Sequence, residues 1–234
     1  MQCPGCQAPM TPQVLDGRLG RAVEIDRCPS CQLFWFDEGE SLRLAPRATL
    51  TLFRVIGEQA GQPRRALSPV LKCPRCASHL RLTHDRQRNV GFQYQRCPHG
   101  HGRLITHFDF LREKNIVRPL SLEQVEDLKA NLQNINCSNC GGPVDLATGS
   151  VCGHCGSPLS LIDLKQAGAT IEQLQKADRG ASEPDPLLPL RLAAAAREVE
   201  RSFAEMGRGS GIAHDPGADL LSAGLSVLVN WLKK

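Results

Sequence analysis

The sequence predicts a small metal-stabilised α+β fold, built from short antiparallel strands with cysteine knuckles in three tandem units that are connected and followed by α-helices. Three observations carry this. All eleven cysteines fall into one spacing scheme: Cys3, Cys6, Cys28 and Cys31; Cys73, Cys76 and Cys97; Cys137, Cys140, Cys152 and Cys155. Short stretches of alternating apolar and polar residues lead into the second knuckles, as strands should. Aromatic residues make up only 4% of the 234-residue chain, and a unit of about 40 residues with so little apolar bulk cannot hold itself together unaided.

Each Cys-x-x-Cys pair offers two sulfurs to one ion, and two pairs complete a tetrahedron of the kind that holds Zn²⁺. The spacing therefore predicts three structural Zn²⁺ sites in three zinc ribbons. Residues 1–45 form the first ribbon, 46–70 a helix and linker, 71–112 the second ribbon and 113–135 a helical connector. Residues 136–160 form the third ribbon, 161–180 a helix, and 181–234 a linker, a helix and a C-terminal amphipathic helix. Disulfides are the competing use of so many cysteines. The chain opens Met-Gln-Cys-Pro-Gly-Cys with no room for a leader before the first ligand, so a reducing, cytoplasmic location is expected. No apolar run approaches a membrane span.

In the first unit, Val23 to Arg27 alternates and runs directly into Cys28. Leu33-Phe34-Trp35-Phe36 follows the second knuckle, with Trp35 expected to close a small core and the phenylalanines to pack on a helix. Asp37 reads as the N-cap of that helix, with Glu38 and Glu40 in its first turn. The order CPxC, excursion, strand, CPxC, apolar-Trp-apolar, Asp-x-Gly-Glu-x-Leu resembles the zinc-ribbon family named for the transcription factor IIB ribbon. The likeness covers residues 1–44. It implies a ribbon holding one zinc and gives no activity. That family usually has glycine after its last cysteine, where this chain has Gln32 and Leu33, so a wider turn is expected there. Apolar positions at helical spacing start after Pro46.

From the strand that enters the second knuckle onward, the second unit repeats the first at an offset of 69. Cys28 maps to Cys97, Val23, Ile25 and Arg27 to Phe92, Tyr94 and Arg96, Asp37 to Thr106, and Leu42 to Leu111. Gly100 stands in the place of Cys31, so a histidine must complete Cys73, Cys76 and Cys97. His101 is preferred for its Cys-xxx-His spacing, and His99 is the alternative with the tighter bite. Arg75, Arg81, Arg86, Arg88, Arg96 and Arg103 surround this unit and mark its hairpin as an anion-binding surface.

A capping box at Ser121 to Gln124 starts the connector helix. The third unit, CSNC and CGHC, follows, and Ser160 to Asp163 reads as a further helix start. Helices are expected at Leu190 to Met206 and from Asp219 to the C-terminus. The last is too short to span a bilayer and is suited to docking on another helix or subunit, with a protein partner or self-association expected through the C-terminal helices.

Formal charge is +4 with neutral cysteines. Two four-cysteine zinc sites at −2 and one mixed site at −1 bring the loaded chain to about −1. The distribution survives, with −1 over residues 1–62, +9 over 63–118 and −4 over 119–234. An anionic partner, nucleic acid or acidic protein, would meet the middle unit at residues 71–112. No metalloprotease helix, phosphate loop, nucleophile elbow or dinucleotide fingerprint is present, and no small-molecule substrate is expected. The predicted function is a non-enzymatic zinc-binding adaptor. The alternative is a rubredoxin-like iron protein carrying electrons.

Overall fold

The computed structural model describes residues 1–87, 90–179 and 220–232, with positions 190, 193, 194, 197 and 201. Arg88 and most of the helix expected from Leu190 to Met206 lie outside the described residues.

The first unit contributes β1 (Thr11–Asp16), β2 (Ala22–Cys28) and β3 (Leu33–Asp37); the second contributes β4 (Arg81–Gln87), β5 (Val90–Arg96) and β6 (Gly102–Thr106). These six strands form one antiparallel sheet in the order β1-β2-β3-β6-β5-β4. The central pair joins the two units: Phe34 lies opposite Ile105, Trp35 opposite Leu104, and Phe36 opposite Arg103. Leu104 is the residue that the 69-residue repeat assigns to Trp35. A pseudo-twofold axis therefore passes between Trp35 and Leu104, and the second unit stands to the first as one half of a symmetric dimer stands to the other.

Alternation along these strands sorts the side chains onto two faces. Leu33, Trp35 and Leu104 pack with Met10, Leu71 and the cysteines of the first two units in one cluster. Phe34, Phe36, Ile105, Val23, Ile25 and Phe92 face the other way, into the main core. Trp35 and both phenylalanines are buried, so none is a stacking platform for a base.

Helices close the main core. α1 (Glu40–Arg43) is a single turn after β3, α2 (Pro46–Glu58) starts on a proline, and α3 (His107–Glu113) follows β6. Thr106 caps α3 by accepting the Asp109 N–H at 3.0 Å. Asp37 does not cap α1 as expected: Gly39, in the left-handed region, holds that position. The Asp37 carboxylate instead accepts the Trp35 indole N–H at 2.8 Å and the Arg75 guanidinium, a contact that crosses from one unit to the other.

Beyond α3, β7 (Val117–Pro119) leads to α4 (Leu122–Lys129), which carries the expected capping box between Ser121 and Gln124. In the third unit β8 (Asn134–Asn136) pairs with β9 (Pro143–Asp145) around the first knuckle, and β10 (Ser160–Ile162) returns to pair with β7. Ser160 to Ile162 is thus a strand rather than a helix start. The cap is Asp163, whose carboxylate accepts the Gln166 N–H at 3.0 Å at the head of α5 (Leu164–Arg179).

The C-terminal helix α6 (Ser222–Leu232) lies on α2. Leu225, Leu228 and Leu232 are buried in the main core, and Arg54 donates to the Leu232 carbonyl at 2.8 Å. Of the expected uses, docking on another helix is the one that the described residues show: the apolar side packs inside the chain. Gly57 makes the close packing possible, since a Cβ there would stand 1.9 Å from Val229 Cγ2. Among the described residues no helix is long and apolar enough to cross a membrane.

Candidate metal centres

Every first knuckle is built the same way. The residue after the second cysteine takes a positive φ: Gln7 (63°), Ala77 (58°) and Gly141 (75°). Its N–H then reaches back to the carbonyl of the first cysteine, at 2.9 Å for Gln7 and Gly141 and 2.8 Å for Ala77. The turn aims further N–H groups at sulfur, from Gly5 to Cys3, Arg75 to Cys73 and Asn139 to Cys137, at 3.3–3.4 Å. Such N–H donors favour the thiolate over the thiol. Gln32, after the last cysteine of the first unit, also adopts a positive φ of 52°. The wider turn expected there does not form; glutamine accepts the left-handed conformation that glycine takes without strain.

Three groups of four donors result: Cys3, Cys6, Cys28 and Cys31; Cys73, Cys76, Cys97 and His101; Cys137, Cys140, Cys152 and Cys155. Within each group all donor atoms lie within 4.8 Å of one another. A tetrahedron with the usual zinc bond lengths has sulfur–sulfur edges of about 3.8 Å and sulfur–nitrogen edges of about 3.6 Å. The observed edges fit. Cys6 to Cys28 and Cys140 to Cys152 are 3.6 Å, and Cys76 to Cys97 and Cys137 to Cys155 are 3.7 Å. All eleven cysteines are free thiols.

His101 and His99 part company in the second group. His101 Nδ1 stands 3.5 Å from Cys97 Sγ and 3.9 Å from Cys73 Sγ. His99 Nδ1 stands at the rim, 3.5 Å from Cys76 Sγ and 3.3 Å from Ser78 Oγ. It also lowers the Cys76 thiol to about 5.

The four-sulfur groups concentrate their negative charge. In the first, hydrogen bonds from Cys3 and Cys31 hold Cys28 down at about 2, while the Cys28 sulfur pushes Cys31 far up and Cys3 up to about 12. In the third, Cys137 holds Cys155 down and Cys140 pushes Cys137 up. A divalent cation neutralises the remaining sulfurs by displacing protons, so its uptake releases protons and weakens as pH falls.

The arginines expected to bind anions divide. Arg75 is committed to Asp37 and Arg103 to Glu113 at 3.0 Å, with Arg103 also lying over the Tyr94 ring at 4.9 Å. Arg81, Arg86 and Arg96 are exposed and form no ion pair among the described residues. Arg81 lies directly opposite Arg96, which lies opposite Arg103, so three guanidinium-bearing residues form one row across β4, β5 and β6.

Sequence reasoning missed two joints that hold the third unit in place. Asp109 accepts from Asn139 Nδ2 at 2.8 Å and from the Gln93 N–H at 3.2 Å. Asn139 also donates to Ser157 at 2.7 Å and accepts from Thr106 at 2.6 Å. Burial raises Asp109 to about 6. The signal was Thr-x-x-Asp at 106–109, which reads as a cap and conceals the second use of its carboxylate. The other joint is the 61–70 linker: Arg65 donates its N–H to Ser30, Arg64 its guanidinium to Ser138 O at 2.6 Å, and Leu67 its N–H to Cys140. A segment read as a linker is thus strapped between the second knuckle of the first unit and the first knuckle of the third. Nearby, His107 is buried at 4.4 Å from the Phe34 ring, and burial, with Arg64 and Arg27, lowers it well below its usual value.

Against known proteins, the chain matches no family model, no curated protein and no solved structure.

Proposed function

We propose that the chain is a non-enzymatic adaptor whose three zinc ribbons each hold one structural Zn²⁺ and present binding surfaces to a macromolecular partner. The closed donor sets carry this reading. Four protein donors at tetrahedral spacing leave no position for water or substrate, the arrangement of a structural rather than a catalytic zinc. His101 supports zinc over iron in the second set, since imidazole beside thiolates suits zinc. The likeness of residues 1–44 to the transcription-factor-IIB-type ribbon points the same way. Elemental analysis with native mass spectrometry, on protein purified without added metal, should give three zinc ions per chain. Bound iron with a visible absorption band would replace this reading with the electron-transfer one.

Nucleic acid is the partner that the charge distribution favours, along the β4–β5 hairpin. Arg81 and Arg96 support it, because like charges held opposite one another across strands destabilise the hairpin unless an anion lies between them, and exposed Arg86 adds a third cation on β4. Fluorescence anisotropy with a labelled single-stranded oligonucleotide tests this. Binding should weaken steeply with salt and be lost in the double variant Arg81→Glu, Arg86→Glu. Absence of binding, or binding indifferent to the double variant, rejects the hairpin as the site.

A further inference from the structure

The pseudo-twofold axis relates two crevices as well as two sheets. Each lies between a second knuckle and the turn of helix that follows the partner unit's central strand. In one, Gln32 faces His107, Phe108 and Leu111, and Ile56 and Gln59 of α2 with Leu221 and Leu225 close it, leaving a cavity of about 10 Å³. Its counterpart lies between Gly100 and Gly102 on one wall and Glu38, Gly39 and Leu42 on the other. The last three stand 69 residues before His107, Phe108 and Leu111. Among the described residues no helix fills this second crevice: its volume is about 240 Å³, and Leu42 is 78% exposed where Leu111 is 0%.

We propose that the open crevice is a docking site for an amphipathic helix of a partner protein, which seats an apolar side chain against Leu42 and Tyr94 and turns a carboxylate towards Arg96. The molecule itself shows how this scaffold is filled, since the covered crevice takes Leu221 and Leu225 at the start of α6. Leu42 and the half-buried Tyr94 give the open one an apolar floor, and Arg96 on its rim has no ion-pair partner among the described residues. Asp37, Glu38 and Asp85 line the same crevice and repel a chain that carries a phosphate at every step, whereas a helix can present one carboxylate to Arg96 on the rim and keep its other contacts apolar, which selects protein over nucleic acid. Helix-in-groove recognition reads apolar anchors at i, i+3 or i+4, the pattern that one turn of α6 already offers.

The site takes Asp85, Tyr94 and Arg96 from the β4–β5 hairpin but neither Arg81 nor Arg86, and it stands whether or not those arginines bind anything. The probe is a display library of random peptides long enough for four helical turns, panned on the zinc-loaded full chain. Leu42→Asp serves as counter-selection: Leu42 is exposed, so this variant should keep its fold and its metal content. Enriched peptides should carry apolar residues at helical spacing with a single acidic residue and no acidic run, lose at least about tenfold in affinity for Leu42→Asp, and bind Arg81→Glu, Arg86→Glu unchanged. No enrichment, peptides without that spacing, or peptides that bind Leu42→Asp equally well would each overturn the proposal.

Discussion

Leu42 and Leu111 hold equivalent places in the two halves of the sheet, yet one faces solvent and the other is sealed under α2 and α6. The same divergence recurs at other equivalent places beyond the first knuckles. In the first, the Glu40 side chain accepts the Asp37 N–H at 2.7 Å; at the equivalent pair in the second, the direction is reversed and the Thr106 side chain accepts the Asp109 N–H. The fourth donor of the first half is Cys31, followed by left-handed Gln32; in the second, left-handed Gly100 precedes the donor His101. The left-handed residue and the donor have exchanged order, and a longer side chain spans the difference. Knuckle and strand register thus fix the backbone twice over, while side chains have followed whatever covers each half.

Breaking the metal sets should separate the halves most sharply. Cys28→Ser removes a buried donor from a site whose binding free energy is on the order of 10 kcal/mol, and should cost the metal and the folded sheet together. His101→Ala leaves three sulfurs and should release one metal first under chelator competition, with the other two retained by native mass spectrometry. His99→Ala should retain all three; a count of two would exchange the histidine roles.

The leucine pair gives the next contrast. Leu111→Ala should destabilise by about 2–5 kcal/mol through the cavity it leaves. Leu42→Ala should stay within about 0.5 kcal/mol, both measured by denaturant unfolding at fixed free zinc. Equal effects would mean that the first half is covered in solution.

Asp109 predicts a pH dependence of defined sign. Its folded value of about 6 lies above the usual 3.8, so the folded chain holds this proton more tightly. The group's contribution is fully present below about pH 4 and is lost as pH rises through about 6. Relative to Asp109→Asn, the natural protein should therefore gain up to about 3 kcal/mol between pH 7 and pH 4, against a shared background of metal loss in acid. A constant difference across that range would show that Asp109 titrates normally. A smaller effect than that of Asp109 is expected for Gln32→Gly, which relieves left-handed strain and should stabilise by roughly 0.5–1 kcal/mol, read as a shift in melting temperature.

The donor sets were legible because tetrahedral chemistry imposes local spacing, and the repeat at an offset of 69 was legible because strands and knuckles leave a periodic trace. What the sequence concealed lies between units. Trp35 and Leu104 mark the axis of one sheet, but their likeness appears only once the strands are paired. Asp37 looked like a cap because its neighbours suit a helix start, whereas its carboxylate is held by Trp35 and Arg75 from another unit. Gly57 carries no sign in the sequence of its role as the notch that admits Val229. The C-terminal helix showed its amphipathicity but not its owner, since an apolar stripe is the same whether it meets a partner or its own α2.

The central β3–β6 pairing has a consequence during synthesis. The first donor set is complete once Cys31 has emerged, and Leu33-Phe34-Trp35-Phe36 follows at once, an uncharged apolar strand with one edge unmatched. Its partner strand is encoded 69 residues later, a delay of roughly 3–14 s at ordinary translation rates. On a crowded polysome the nearest equivalent surface belongs to the neighbouring nascent chain, whose Trp35 could meet this Trp35 across the same axis. Tethering both halves in one polypeptide keeps β6 at an effective concentration on the order of millimolar, and so steers the open edge towards its own chain as soon as the second half emerges.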